Sequence, residues 1–283
     1  MRKWYAPALA LCLLLTGCAT VSDYASPTPA LGQEAEPTPA VSSAPEGSQP
    51  PEISQSPEGT PPPAPVWGEQ VYLTGFAVQD REEPVFSPEY RLPKIENADG
   101  VPAYEAVNSY YADALEELTV SAAELSGWAV EDYNLALTLG NQFYNYVDSE
   151  SYVLSLNTAA RVSVLRTHVS NLGTPYPTTY PVGDTFDMTT GARLSFADLF
   201  TCSEEEAQDR VLSAVLAQNA QGSYAGTVID EDSLRAAYWP QWFYLTEDSL
   251  VVYFPQGELS AALGSPTFAI PYTELEDILT PWE

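Results

Sequence analysis

Two rhythms of apolar positions run through residues 67–283. Val101, Tyr104, Val107, Tyr111, Leu115, Leu118, Ala122 and Leu125 recur at intervals of three and four, the signature of one face of a long amphipathic helix. Before them, Val71–Val78 is rich in β-formers and reads as a strand, and Pro84–Pro93 reads as a turn region. From Leu135 to Val169 the period falls to two, through Leu137, Leu139 and Phe143, then Tyr152, Leu154 and Leu156, then Val162 and Val164. With turns at Asp148-Ser149-Glu150 and Thr158-Ala159-Ala160, this predicts a three-stranded antiparallel meander. A second helix is expected over 203–220. Ser203 and Glu206 have capping-box spacing, and Val211, Leu212, Val215 and Leu216 form its apolar face. A short helical segment starting near Asp230 leads to Trp242–Phe254, whose two β-rich halves flank a Thr-Glu-Asp-Ser turn. Thr267–Tyr272 is a last strand, followed by a helix at 273–279. Strands and helices come in blocks, so the expected class is α+β, with antiparallel sheets and helices packed on one side. Two lobes of similar size are expected, at 67–170 and 171–283.

The first 66 residues follow neither rhythm. Arg2-Lys3, the apolar run Ala8–Leu15 and the small residues before Cys18 have the n-, h- and c-region order of a secretory signal. Leu15-Thr16-Gly17-Cys18 resembles the lipobox of a bacterial lipoprotein. The resemblance implies removal of residues 1–17 and lipid attachment at Cys18. The apolar run is too short to span a bilayer as a helix, which needs about 20 residues, so membrane attachment is expected through the lipid alone. Twelve of the chain's 25 prolines lie between Pro27 and Pro65 among Ser, Thr, Ala, Gly, Gln and Glu. Such a segment buries too little apolar surface to offset the entropy of ordering, and reads as a disordered, Pro-rich tether over 18–66. At about 3.1 Å per residue in polyproline II geometry it reaches roughly 100 Å or more from the lipid. The predicted address is the extracytoplasmic face of a bacterial cell membrane.

Charge narrows the partners. Residues 67–283 carry eight basic side chains (Arg81, Arg91, Lys94, Arg161, Arg166, Arg193, Arg210, Arg235) against 33 acidic ones, a net charge of −25. That field repels nucleic acid and anionic lipid surfaces and steers cationic partners. Cys12 leaves with the signal and Cys18 is taken by lipid, so Cys202 stands alone and reads as a small, semi-buried side chain.

Motifs for catalysis are missing. His168 is the only histidine, so a hydrolytic zinc site with several imidazoles cannot be assembled, and no Gly-x-Ser-x-Gly elbow, Walker loop or dinucleotide fingerprint occurs. On its strand His168 reads as a packed or exposed imidazole rather than a ligand. Glu204–Glu206 read as helix-start chemistry, since acids suit a helix N-terminus. Neither a cofactor nor a metal is expected. A glycosidase needs only two carboxylates at a suitable separation, and 33 acids leave such a pair open without naming it. Trp239, Trp242 and Tyr244 either stack on sugar rings or pack the core of their hairpin.

One stretch carries a family resemblance. Phe186-Asp187-Met188-Thr189-Thr190-Gly191, running into Leu194-Ser195-Phe196-Ala197-Asp198-Leu199-Phe200, resembles the F-D-L-x-T-G-x-x-L-x-L-x-D-L-F stretch of the RsiV C-terminal-domain family. Phe243–Phe254, Gly264 and Ile270-Pro271-Tyr272 resemble its closing hairpin and terminal I-P-Y, and Leu92-Pro93-Lys94-Ile95, Asn108 and Tyr152–Ser163 resemble the companion domain that precedes it, also found before peptidoglycan deacetylases. That family includes the outer part of a lysozyme-recognising anti-sigma factor. The resemblance implies a surface-anchored binding module whose acidic face engages a cationic protein such as lysozyme. A peptidoglycan- or glycan-binding wall module without catalysis, and a carboxylate-based wall hydrolase, are the alternatives. Two loops depart from the family pattern and are Pro/Gly-rich connections where a partner is commonly read. They give the candidate contact residues Thr174, Pro175, Tyr176 and Pro177 in one, and Pro255, Gln256, Gly257 and Glu258 in the other.

Overall fold

The computed structural model describes residues 62–79, 81–260 and 262–282. The signal, Cys18 and the tether up to residue 61 lie outside the described residues. The rest is α+β, as the blocks of strand and helix implied.

The first layer is a five-stranded sheet in the order β1 (Trp67–Leu73), β2 (Phe86–Ile95), β3 (Tyr146–Asn157), β4 (Arg161–Asn171), β5 (Thr178–Asp187). All neighbours are antiparallel except β2 and β3, which run parallel because the long helix α1 (Pro102–Leu139) connects them. One face of the sheet packs on α1, which contributes Ala103, Tyr104, Val107, Tyr111, Ala122, Leu125 and Ala129 to the core. Leu92, Ile95, Val162, Val164 and Phe186 meet its first half, and Val85, Phe86, Tyr90 and Tyr146 its second.

Three expectations give way here. Pro84–Pro93 is not a turn region: Phe86, Pro88, Tyr90 and Leu92 are buried in alternation along β2. Proline is a poor ladder donor and reads as a breaker, which masks a period-two strand that burial stabilises. Leu135, Leu137 and Leu139 are not a strand but the last turns of α1. The helix runs 38 residues and stops where Gly140 takes φ 69° and donates its N–H back to the final turn. Asp148-Ser149-Glu150 is not a turn either and lies inside β3, whereas Thr158-Ala159-Ala160 does connect β3 to β4.

The second layer is the three-stranded antiparallel sheet β6 (Phe243–Leu245), β7 (Ser249–Tyr253), β8 (Thr267–Pro271), covered by α2 (Glu204–Ala220) and α3 (Glu231–Ala237). Ser203 caps α2 by accepting from the Glu206 N–H at 3.3 Å, and Asp230 caps α3 by accepting from the Ser233 N–H at 2.9 Å. Phe196, Leu199, Val211, Val215, Leu234, Leu250, Phe254 and Ile270 fill this core. The helix expected at 273–279 is only a 3-10 turn at Tyr272–Glu274 followed by irregular turns.

The sheets meet where β6 crosses β5. A Cβ on Gly183 would stand 1.8 Å from the Phe243 carbonyl oxygen, so only glycine admits this approach. Nearby, the Leu245 N–H donates to Ser163 Oγ at 2.9 Å, and the Gly183 N–H donates to the Tyr253 hydroxyl at 3.0 Å. The expected lobe boundary at 170/171 falls in the last residues of β4, and β5 belongs to the first sheet while packing, together with β4 and β3, against β6 of the second.

Candidate binding surface

Alternate residues of β3, β4 and β5 face α1. At one end of these strands they are apolar (Leu154, Val162, Val164, Phe186); at the other they are charged (Asp148 and Glu150, Arg166 and His168, Asp184). The register sets these groups side by side, with Glu150 opposite His168 and Val164 opposite Asp184. The His168 ring bridges two carboxylates, its Nε2 3.0 Å from Asp148 Oδ1 and its Nδ1 3.2 Å from Glu150 Oε2. Tyr90 donates to the second Asp148 oxygen at 2.7 Å. Arg166 reaches Glu150 with one nitrogen and Asp184 Oδ2 with Nε at 2.7 Å. Arg193 Nε and the Tyr110 hydroxyl close the set on Asp184 Oδ1, at 3.0 and 2.7 Å.

Three carboxylates thus face three cations. That balance matters, because a buried charge without a partner is far more costly than a paired one. Burial alone would neutralise His168, but the bonds from Asp148 and Glu150 outweigh it and push its pKa up to about 9. The ring is therefore an imidazolium at neutral pH, the only form that donates from both nitrogens. Asp148 and Glu150 resist their own burial and are held below the usual carboxylate range, chiefly by His168, with Tyr90 and Arg166 adding to it. Burial and then Asp184 push the Tyr110 phenol up to about 12. With each ring N–H held by its own carboxylate, His168 is a clamp joining β3 to β4, not a free base. Among the described residues, no group of three or more His, Cys, Asp or Glu is arranged to hold a metal ion.

The two candidate loops sit beyond the open end of this network. The first springs from the strand pair that carries His168: Val169 pairs with Thr179 and Ser170 with Thr178. Asn171 Oδ1 accepts from the Thr174 N–H at 3.0 Å, and the Thr174 hydroxyl donates to the Tyr176 carbonyl at 2.7 Å. Thr174, Pro175 and Pro177 are exposed, and the Tyr176 side chain stands 82% exposed. In the second loop Pro255 and Gln256 are half-buried, whereas Gly257 and Glu258 face solvent. Gln256 ties the second loop to the start of β5, just past the first loop, its Oε1 accepting from the Thr179 N–H at 2.8 Å. Cys18 lies outside the described residues. Cys202 is a free, half-buried thiol against the second core. Trp242 packs against that core too, while Trp239 is exposed.

Sequence reasoning missed Asp148, Glu150, Arg166, Asp184 and Arg193 as a set. The signal was opposite charge at alternate positions of neighbouring strands, but only pairing register shows that these positions meet.

Outside the network the surface is one-sided. Every basic residue from 67 on is engaged by the domain's own groups. Arg91, Lys94, Arg210 and Arg235 lie in surface ion pairs with Glu69 and Glu89, Glu96, Asp277 and Glu231. Arg81 bonds Asn145 and stacks on Tyr133 and Phe143, and Arg161 lies over the Trp282 ring at 4.1 Å. Asp113, Glu116, Glu117, Glu124 and Glu131 of α1 are exposed and form no ion pair among the described residues. A cleft of about 310 Å³ opens between α1 and the sheet, with Asp113 and Glu117 at its rim and Tyr110 and Arg166 among its walls.

Residues 197–273, from the turn before α2 through β8, match the family described as "Protein of unknown function (DUF3298)", so the chain carries a DUF3298 domain. Two solved structures share the fold. A DUF3298 family protein from Pseudomonas aeruginosa PAO1 superposes with TM-score 0.56 at 14% identity, covering 79% of this chain and 97% of its own. A member of the same family from Bacteroides fragilis NCTC 9343 superposes with TM-score 0.61 at 14% identity, covering 77% and 94%. No curated protein matches the chain.

Proposed function

We propose that this chain is a lipid-anchored binding module of the bacterial cell surface, held through Cys18, whose acidic face engages a cationic protein of the lysozyme type. One observation carries the reading: all eight basic residues of 67–283 are committed to internal partners, while acids line the solvent face of α1. The outward field is therefore negative with no cation free to interrupt it, the arrangement that steers a positively charged partner. The resemblance of Phe186–Phe200 to the RsiV C-terminal-domain family supports lysozyme as the partner. In this reading the loops at 174–177 and 255–258, the second tied to the start of β5 through Gln256, are contact segments at the end of the sheet.

Calorimetric titration of the full chain with a cationic lysozyme, at low and at half-molar salt, tests the reading. Saturable binding that weakens as salt screens the charges is expected. Absence of binding at both salts would overturn it, and binding of purified wall glycans that survives half-molar salt would put the glycan reading in its place.

A further inference from the structure

The outer face of α1 combines two properties that its role in the core does not require. About a third of a turn round the helix from the buried stripe, Asp113, Glu117, Val120, Glu124, Trp128, Glu131 and Leu135 follow one another at intervals of three and four. That spacing places them along one face of the helix, over about 33 Å at 1.5 Å per residue. The four acids are exposed, and so are the three apolar side chains, at 58% for Val120, 43% for Trp128 and 55% for Leu135. No Lys or Arg occurs anywhere in the 38-residue helix. Asp113 and Glu117, one turn apart, oppose helix formation by like-charge repulsion, and three large apolar groups in water contribute nothing to folding. The cleft rimmed by Asp113 and Glu117 opens along the flank of this face.

We infer that the outer face of α1 is a docking surface for a cationic amphipathic helix, with Lys or Arg side chains spaced to meet the four acids and apolar side chains set against Val120, Trp128 and Leu135. This inference rests on the reading that the domain binds a cationic partner, and it names both the surface and the partner's chemistry. Charge complementarity selects the occupant. A second copy of this chain would set acids against acids, and an anionic lipid surface would be repelled. A helix matches the three-and-four periodicity of alternating charge and apolar contact, as in other helix-on-helix recognition.

The test uses the full chain and three probes: an amidated Lys/Leu peptide patterned as an amphipathic helix, a peptide of the same composition scrambled to break that pattern, and lysozyme. Two triple variants remove equal charge, Glu117→Gln/Glu124→Gln/Glu131→Gln on α1 and Glu204→Gln/Glu205→Gln/Glu206→Gln on α2. Glutamine is a good helix former at exposed positions, and circular dichroism checks that both variants stay folded. Expected results are saturable binding of the patterned peptide, at least tenfold weaker binding of the scrambled one, and at least tenfold loss with the α1 variant against less than twofold with the α2 variant. Trp128→Ser, which leaves charge unchanged, should weaken the patterned peptide about fivefold. Equal losses from both triple variants, or equal binding of both peptides, would overturn the inference by reducing the interaction to diffuse charge. Lysozyme binding that ignores the α1 variant, with no binding of the patterned peptide, would overturn it while leaving the proposed function standing. Failure of all three probes would overturn both.

Discussion

At the scale of single residues, His168 carries the clearest consequence. Its pKa rises from the ordinary value near 6.5 to about 9 on folding because Asp148 and Glu150 hold its charged form. A group raised in this way contributes stability that is fully present below the unfolded value and lost as pH climbs through the folded one. The contribution at neutral pH and below is on the order of 3 kcal/mol. The full chain should therefore lose melting temperature between pH 6.5 and about 9. In the acid direction Asp148 and Glu150, held low, withdraw their share as pH falls below the ordinary carboxylate range. His168→Gln should lower stability near pH 6 and flatten the alkaline slope. Thermal unfolding of both proteins from pH 5 to pH 10 checks this, and a melting temperature that rises with alkaline pH would contradict the clamp.

At the scale of elements, the joint between the sheets depends on very few atoms. Gly183→Ala drives a methyl into the Phe243 carbonyl, so β6 must move away from β5. The expected loss is about 2–4 kcal/mol in chemical denaturation. Ser163→Ala leaves the buried Leu245 N–H without its acceptor and should cost about 1–3 kcal/mol. If both variants unfold at the wild-type denaturant midpoint, the sheets do not meet as described. The helices were the most readable elements. Capping spacing at Ser203 and the three-and-four apolar pattern from Val101 to Leu125 mark two of them correctly, because their chemistry is local. The α1 continuation through Leu139 was hidden, since Leu135, Leu137 and Leu139 also satisfy a strand's period over so short a window.

At the scale of the whole molecule, charge decides behaviour. Every cation of residues 67–283 is engaged by the domain's own groups and acids far outnumber them, so the acidic surface repels itself. Raising sodium chloride from about 10 to 200 mM should raise the melting temperature by screening that repulsion, the screening length falling to about 10 Å near 0.1 M. A fall over that range would mean that the surface ion pairs of Arg91, Arg210 and Arg235 outweigh the repulsion, against their small expected worth. The same salt series should weaken binding of a cationic partner, so stability and affinity are expected to move in opposite directions.

The sequence by itself determined what depends on neighbours along the chain: the α+β class, the cap of α2, the start of α3 near Asp230, the turn at 158–160 and the large negative charge. Tertiary structure alone decided what depends on residues far apart. Pro88 and Pro93 became part of a buried strand because burial of Phe86, Tyr90 and Leu92 outweighs the missing donors. Asp148 and Glu150 left their expected turn because β4 offers them Arg166 and His168 at matching register. The candidate loops at Thr174–Pro177 and Pro255–Glu258 were legible as exposed connections, yet the tie of the second to the start of β5 through Gln256 was not. A side chain's partner across 77 residues is set by how sheets pack, which no local pattern encodes.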